Sequence, residues 1–241
     1  PAIHINMDTF QIPERYALAN KSIYGRVFII GGSMGVLGSV AMSAKAALRA
    51  GAGLVYLVSH EEYAYFYNSN PSEIMFIGIP SQPKSVLPDL SSFSTGIKKA
   101  DSIVIGPGLG TGKYAYTMLE FILRTSTVPT VVDADALRLI AKNTSLQQYI
   151  KKPNILLTPH FGEFCALAEI DMDDLYVDTI SALTNYVKKT EAKVLLKSDT
   201  TIFYDGKRMF INTAGNDGLA TGGSGDVLAG IIGSFCGQGM E

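Results

Sequence analysis

The sequence predicts an α/β protein with a mainly parallel central sheet, helices on both faces, and an antiparallel hairpin at one edge. Three observations carry that expectation. Short apolar runs alternate with longer helical patterns, the rhythm of βαβ units. Several of those runs lack polar alternation, as strands covered on both faces do. Two late runs are separated only by Asp205-Gly206-Lys207-Arg208, whose Asp-Gly pair signals a hairpin.

In chain order, the first strand falls at 27–30, a helix at 39–49 and a second strand at 54–58. The Pro/Ser-rich stretch 79–92 reads as an exposed connection. A strand at 102–105 precedes a helix at 114–123, and the apolar runs 130–132, 155–157 and 194–196 are further buried strands. A helix over 164–168 follows Gly162-Glu163, with Glu163 as its cap. Runs 201–204 and 209–211 form the hairpin, and an apolar helix begins at Val227 directly after a glycine-rich loop. With no repeat, low-complexity tract or linker, residues 1–241 read as one domain, a length that one α/β core accommodates.

The composition narrows the function classes. Hydrophobic residues make up 47% and charged residues 17% of the chain, more apolar than an average soluble domain. Together with the aromatic segment Tyr-Ala-Tyr-Phe-Tyr at 63–67, this predicts a homo-oligomer. A net charge of −2 without a dense Lys/Arg run argues against a nucleic-acid partner, so any phosphate must be held locally. Cys165 and Cys236 lie in apolar helical patterns and read as small buried hydrophobes, which fits a reducing compartment. No apolar run approaches the roughly 18 residues of a membrane span, and the first ten residues lack the parts of a signal peptide. The expectation is a cytoplasmic protein with no membrane partner.

The segment 212–226 carries the strongest chemical signal. Gly218, Gly222, Gly223 and Gly225 crowd a loop that opens a helix. There, backbone N–H groups and the positive end of the helix dipole favour an anion such as phosphate. Asp226 is then an odd neighbour, because two negative groups at one helix end repel. Its placement makes sense if it faces a hydroxyl that loses a proton while attacking phosphorus. The bland alternative is a plain turn with Asp226 as helix cap.

This segment resembles the anion-hole signature of the ribokinase-like superfamily, and 214–230 resembles one branch of it, the ADP/ATP-dependent NAD(P)H-hydrate dehydratases. Three other segments agree in order: Gly31-Gly-Ser-Met-Gly35 through Ala46-Ala-Leu-Arg-Ala-Gly-Ala-Gly53, Ile105-Gly-Pro-Gly-Leu-Gly110, and Leu157-Thr-Pro-His-Phe-Gly-Glu163. The resemblance spans nearly the whole chain. It implies a ribokinase-like fold and a repair activity that returns (6S)-NADH hydrate and (6S)-NADPH hydrate to NADH and NADPH. ADP or ATP would be the phosphoryl donor, with Mg2+ accompanying it and no metal ligands assigned. Asp226 would deprotonate the C6 hydroxyl, the hydroxyl would take a phosphoryl group, and phosphate would then leave. By the same resemblance, Val40, Gly108, His160 and Asp226 contact the hydrate. Lys197, Ser198, Asp199, Thr200, Thr201, Gly222, Gly223, Ser224 and Gly225 hold the nucleotide. Two departures stand out. Lys197-Ser-Asp-Thr replaces a turn that is more often Lys-Gly-rich, and the residues stop at Glu241 where family members usually continue through further helices.

Other readings compete. A small-molecule alcohol kinase of the same superfamily would use Asp226 identically, and a silent nucleotide sensor would need no base. Gly31-Gly32-Ser33-Met34-Gly35 formally satisfies a nucleophile elbow, with Asp133 and His160 following in hydrolase order, although such an elbow needs several strands before it. The 31–38 loop lacks the Gly-x-Gly-x-x-Gly spacing of a dinucleotide fold. A P-loop over 107–114 fails because Pro107 stands where glycine is needed and Tyr114 where Ser or Thr is. The turn at 106–110 reads instead as a close backbone approach to a ligand, or as a plain βα turn. Asp133 and Asp135 end one strand at a common rim, suited to ordering water around magnesium or to capping the next helix. His160 has no metal-site companion in His4 or His60, which leaves a ligand contact or a structural side chain.

Overall fold

The computed structural model describes residues 2–4, 15–69, 72–80 and 91–240. In chain order it runs β1 (Ala2–His4), β2 (Arg26–Ile30), α1 (Leu37–Arg49), β3 (Leu54–His60), α2 (Ala64–Asn68), β4 (Met75–Ile79), α3 (Ser91–Ile97), β5 (Ser102–Ile105), α4 (Lys113–Thr125), β6 (Thr130–Val132), α5 (Asp135–Lys142), α6 (Thr144–Gln147), β7 (Ile155–Leu157), α7 (Phe161–Ala168), α8 (Met172–Val177), α9 (Thr179–Thr190), β8 (Lys193–Leu196), β9 (Thr201–Tyr204), β10 (Met209–Asn212) and α10 (Ser224–Gly237). The expected helices and strands are present, most with ends a residue or a few residues away. Residues 81–90 of the expected connection lie outside the described residues.

The strands form one sheet in the order β1-β10-β9-β8-β7-β6-β5-β2-β3-β4. All pairings are parallel except those of β9, which runs antiparallel to both β8 and β10. The hairpin therefore sits one strand in from the edge, since β1 pairs in parallel with β10. At three residues, β1 is too short to show a period, and β4 was likewise absent from the sequence reading.

Side-chain alternation sorts the core into two layers. Val27, Ile29, Val55, Leu57, Val104 and Val131 point to the layer holding α1 and α10, while Phe28, Ile30, Ile103, Ile105 and Val132 point to the layer holding α4, α5 and α7. After Arg26 every residue of β2 is buried, which explains why its sequence shows no polar face. Helix α10 packs against α1 and the sheet through its glycines: a Cβ at Gly230 would lie 2.1 Å from the Ser43 carbonyl oxygen.

From β2 the chain moves outward through β3 and β4, then returns to the other side of β2 at β5 and proceeds through β6, β7 and β8. The loops after β2 and β5 thus part in opposite directions. Ligands of open α/β sheets bind at the carboxyl ends of strands at such a switch point.

Candidate active site

The loops that follow β2 and β5 are zipped together at this point. Gly106 N–H donates to the Ile30 carbonyl at 3.1 Å, Gly32 N–H to Pro107 at 3.0 Å, and Ser33 N–H to Gly108 at 2.5 Å. The approach demands glycine at position 31, where a Cβ would stand 2.0 Å from the Pro107 carbonyl oxygen. Val40 lies fully buried beneath Gly31 and Gly32, so its side chain supports the loop from below. Gly108 takes a left-handed φ of 58° on the crevice rim.

An acidic rim follows β6. Asp133, 2% exposed, accepts hydrogen bonds from Lys197 Nζ at 2.6 Å and Thr158 Oγ1 at 2.9 Å, both on Oδ1. One carboxylate thereby ties together the ends of β6, β7 and β8. Ala134 carries a positive φ of 49°, a strained state for a residue with a Cβ. That turn sends Asp135 the other way, where its Oδ2 accepts from Gly110 N–H at 2.9 Å. Asp133 and Asp135 do share one rim, but no side chain caps α5. Asp135 pins the glycine turn after β5 instead.

Facing this rim is the glycine-rich start of α10. Gly223 is its N-cap residue, with φ 92°, a conformation glycine adopts without penalty. Gly222 precedes it, Ser224 and Gly225 open the helix, and Asp226 occupies the third helical position. This corrects the plain-cap reading, because Gly223 takes the cap position and no side-chain cap bond exists here. The turn reaches the ion pair closely: a Cβ on Gly225 would be 3.5 Å from Lys197 Nζ and 4.0 Å from Asp133 Oδ2. Asp226 is half-buried, and burial pushes its carboxyl above the usual carboxylate range. The negative charges of Asp133 and Asp135 push the same way, against a hydrogen bond with the Ser39 side chain and the charge of Lys197. A carboxylate whose ionised form is disfavoured is a better proton acceptor than a solvated one.

The predicted nucleotide residues divide in two. Ser198, Asp199 and Thr200 line a cavity of about 600 Å3, opposite Thr213, Gly215, Asn216 and Asp217, a volume in the range of small-ligand sites. Ser198 Oγ shapes its wall by donating to the Thr200 carbonyl at 2.6 Å. Lys197 turns away to Asp133, and Thr201 begins β9. His160 is joined to this group by a parallel bridge to Lys197. It also caps α7 in a reciprocal box: Glu163 N–H donates to His160 Nδ1 at 3.3 Å, and His160 N–H to Glu163 Oε2 at 3.0 Å. Glu163 is thus a capping residue, as expected, and burial raises its carboxyl proton affinity. The hydrolase arrangement is not assembled, since Asp133 is bonded to Lys197 and Thr158 and the His160 ring faces Glu163. Sequence reasoning missed Ser39, Ser43 and Thr158. Ser43 Oγ donates to the Asp226 carbonyl at 2.5 Å, a contact made across the fold that no local pattern announces.

A switch-point crevice facing a glycine-rich helix start places this chain in the ribokinase-like class. An Enterococcus faecalis structure described as a ribokinase-like superfamily protein aligns with a TM-score of 0.84 at 28% identity, over 98% of this chain and 80% of that one. Within that class, the model of the NAD(P)H-hydrate dehydratase family matches residues 27–241, and the chain belongs to this family. A bifunctional NAD(P)H-hydrate repair enzyme from Moorella thermoacetica is 36% identical over 96% of this chain, which covers 44% of that relative. The chain thus spans less than half the length of that relative. An ADP-dependent (S)-NAD(P)H-hydrate dehydratase from Staphylococcus aureus is 31% identical over 98% of this chain and 82% of its own length.

Proposed function

We propose that this chain dehydrates (6S)-NADH hydrate and (6S)-NADPH hydrate to NADH and NADPH at the expense of ADP or ATP. The observation that carries the reading is Asp226, a half-buried carboxylate of raised proton affinity within the first turn of α10, beside Lys197 and Asp133. Family membership supports the choice of hydrate over other alcohols.

In this reading Asp226 takes the proton of the substrate's C6 hydroxyl as that oxygen forms a bond to the terminal phosphorus of the nucleotide. Donors of the Gly222–Gly225 turn and Lys197 neutralise charge on the transferring group. Hydroxide is a poor leaving group and phosphate a good one, so loss of phosphate from C6 with a hydrogen from C5 restores the ring double bond. Ser198, Asp199 and Thr200 hold the remainder of the nucleotide along their cavity, and Gly108 and His160 orient the hydrate over the crevice.

Mg2+ accompanies the nucleotide in this proposal. Among the described residues no three potential ligands cluster, which suits an ion held mainly by phosphates and water with one carboxylate. Asp133, whose Oδ2 is 4.0 Å from where a Cβ on Gly225 would stand, is the carboxylate that would hold it in this reading. We further propose assembly into a homo-oligomer, supported by the exposed Tyr65, Tyr176 and Val177, and action in the cytoplasm, supported by the unpaired Cys165 and Cys236. Among the described residues no helix is long and apolar enough to cross a membrane.

The test is incubation with NADPH hydrate and either ADP or ATP, following absorbance of the reduced nicotinamide and nucleotide consumption together. Recovery of one NADPH per nucleotide consumed is the expected result and also identifies the donor. Unchanged hydrate in the presence of both nucleotides, from protein shown to be folded, would overturn the proposal.

A further inference from the structure

Helix α1 has a second exposed side, away from α10 and from the residues of the active-site crevice. There the helix, α2 and β4 enclose a groove of about 420 Å3. Its walls differ in chemistry. Lys45 and Arg49 stand on one wall, both exposed, and one helical turn apart they present their charges to the same space. Among the described residues neither makes an ion pair. The opposite wall is aromatic: Tyr67 stacks on Phe76 with ring centroids 5.2 Å apart, and Phe66 meets Tyr67 edge-on at 5.1 Å. Phe66 remains 45% exposed. Glu73 on the rim supplies a hydrogen-bond acceptor.

A surface pair of cations alone reads as a solvated face, and an aromatic cluster alone as packing. Their opposition across a groove of small-ligand size is a different matter. A planar ring finds stacking surface on one side, and an anionic group attached to it finds two unpaired cations on the other. The groove also adjoins the crevice, because Tyr67 donates from its hydroxyl to the Leu37 carbonyl at 3.3 Å and packs over Gly32. We infer that this groove binds a nucleoside monophosphate unit, with the base against Phe66 and Phe76 and the phosphate between Lys45 and Arg49. Two sources present that chemistry: a free nucleotide, or the adenosine 2′-phosphate end of the dinucleotide. The second source rests on the dehydratase reading; the site itself does not.

The chain contains no tryptophan, so Phe66→Trp installs a single fluorescent reporter inside the groove. Titration with adenosine 2′-monophosphate should quench it saturably. Adding Lys45→Ala and Arg49→Ala should weaken that binding at least tenfold, with an unchanged circular dichroism spectrum. A parallel titration with NADPH separates the sources. Binding ten times tighter than the mononucleotide means that the groove takes one end of a ligand anchored elsewhere as well, whereas equal or weaker binding means a free nucleotide. The readout needs no turnover, so an inactive enzyme would not disturb it. No quenching at millimolar nucleotide, or quenching indifferent to the loss of both cations, overturns the inference.

Discussion

The substitution Asp226→Asn isolates the proposed proton-accepting role of Asp226 from its contacts in the fold. Asn keeps the size, and its carbonyl oxygen can still accept a hydrogen bond from Ser39. What the fold loses is one negative charge in the first turn of α10, an interaction worth about 0.3–1 kcal/mol. What it gains is relief from holding a half-buried charge beside Asp133 and Asp135. The two oppose each other, so stability should change by less than about 1 kcal/mol, or roughly 2–4 °C in Tm for a chain of this size. Turnover should fall by about 10²–10⁴, the usual contribution of a positioned base. Affinity for ADP should hold or improve, because a negative charge beside the phosphates is gone.

The pH dependence has a definite sign. The folded-state carboxyl of Asp226 is raised above its unfolded value. As pH rises from the ordinary aspartate value of about 3.9 through the raised one, the native protein loses stability that the Asn variant does not lose. The variant's relative gain should therefore disappear in acid below that window. Since the base must be ionised to act, the acid limb of kcat/KM in the parent should have its midpoint above the ordinary carboxylate value. Calorimetric melts across pH, beside steady-state assays with NADPH hydrate, measure both. A folded Asn variant that turns over within threefold of the parent would refute the argument.

Two further outcomes follow from the site's supports. Lys197→Met leaves the buried Asp133 side chain short of its main partner and should cost about 3–5 kcal/mol in urea unfolding; a loss under 1 kcal/mol would mean that the pair is not what joins β6 to β8. Gly230→Ala pushes a methyl into the Ser43 carbonyl and should destabilise by about 1–3 kcal/mol through overpacking, while Gly96→Ala, in open space on α3, should stabilise by about 0.5–1 kcal/mol. Equal melting shifts for the two alanines would show that α10 does not rest on α1 as described.

Much of the fold was legible because its strands are buried on both faces and its helices are long enough to show a period. The runs at 27–30 and 102–105 announced central parallel strands, and Asp205-Gly206 announced the hairpin. Strands β1 and β4 escaped, one for its length and the other because Met75–Ile79 runs into the stretch 79–92 that reads as an exposed connection, although Ile79 is buried in the strand. The glycine turn before Asp226 was visible as local composition, and so was its suitability for an anion, because both depend on residues adjacent in the chain.

The sequence by itself determined the fold class, the family resemblance and the identity of the carboxylate at the start of α10. It left Asp226 open between a cap and a base, since the same residue at the end of a glycine loop serves either use. Tertiary structure gives the cap position to Gly223 and sets Asp226 inside the first turn, near Lys197 and two further carboxylates, the surroundings on which the proposed role as base rests. Only the folded sheet brings Asp133, Thr158 and Lys197 to one point from the ends of three strands, and only packing across the fold half-buries Asp226. Proton affinity depends on burial and on charges distant in sequence, so no reading of adjacent residues can supply it.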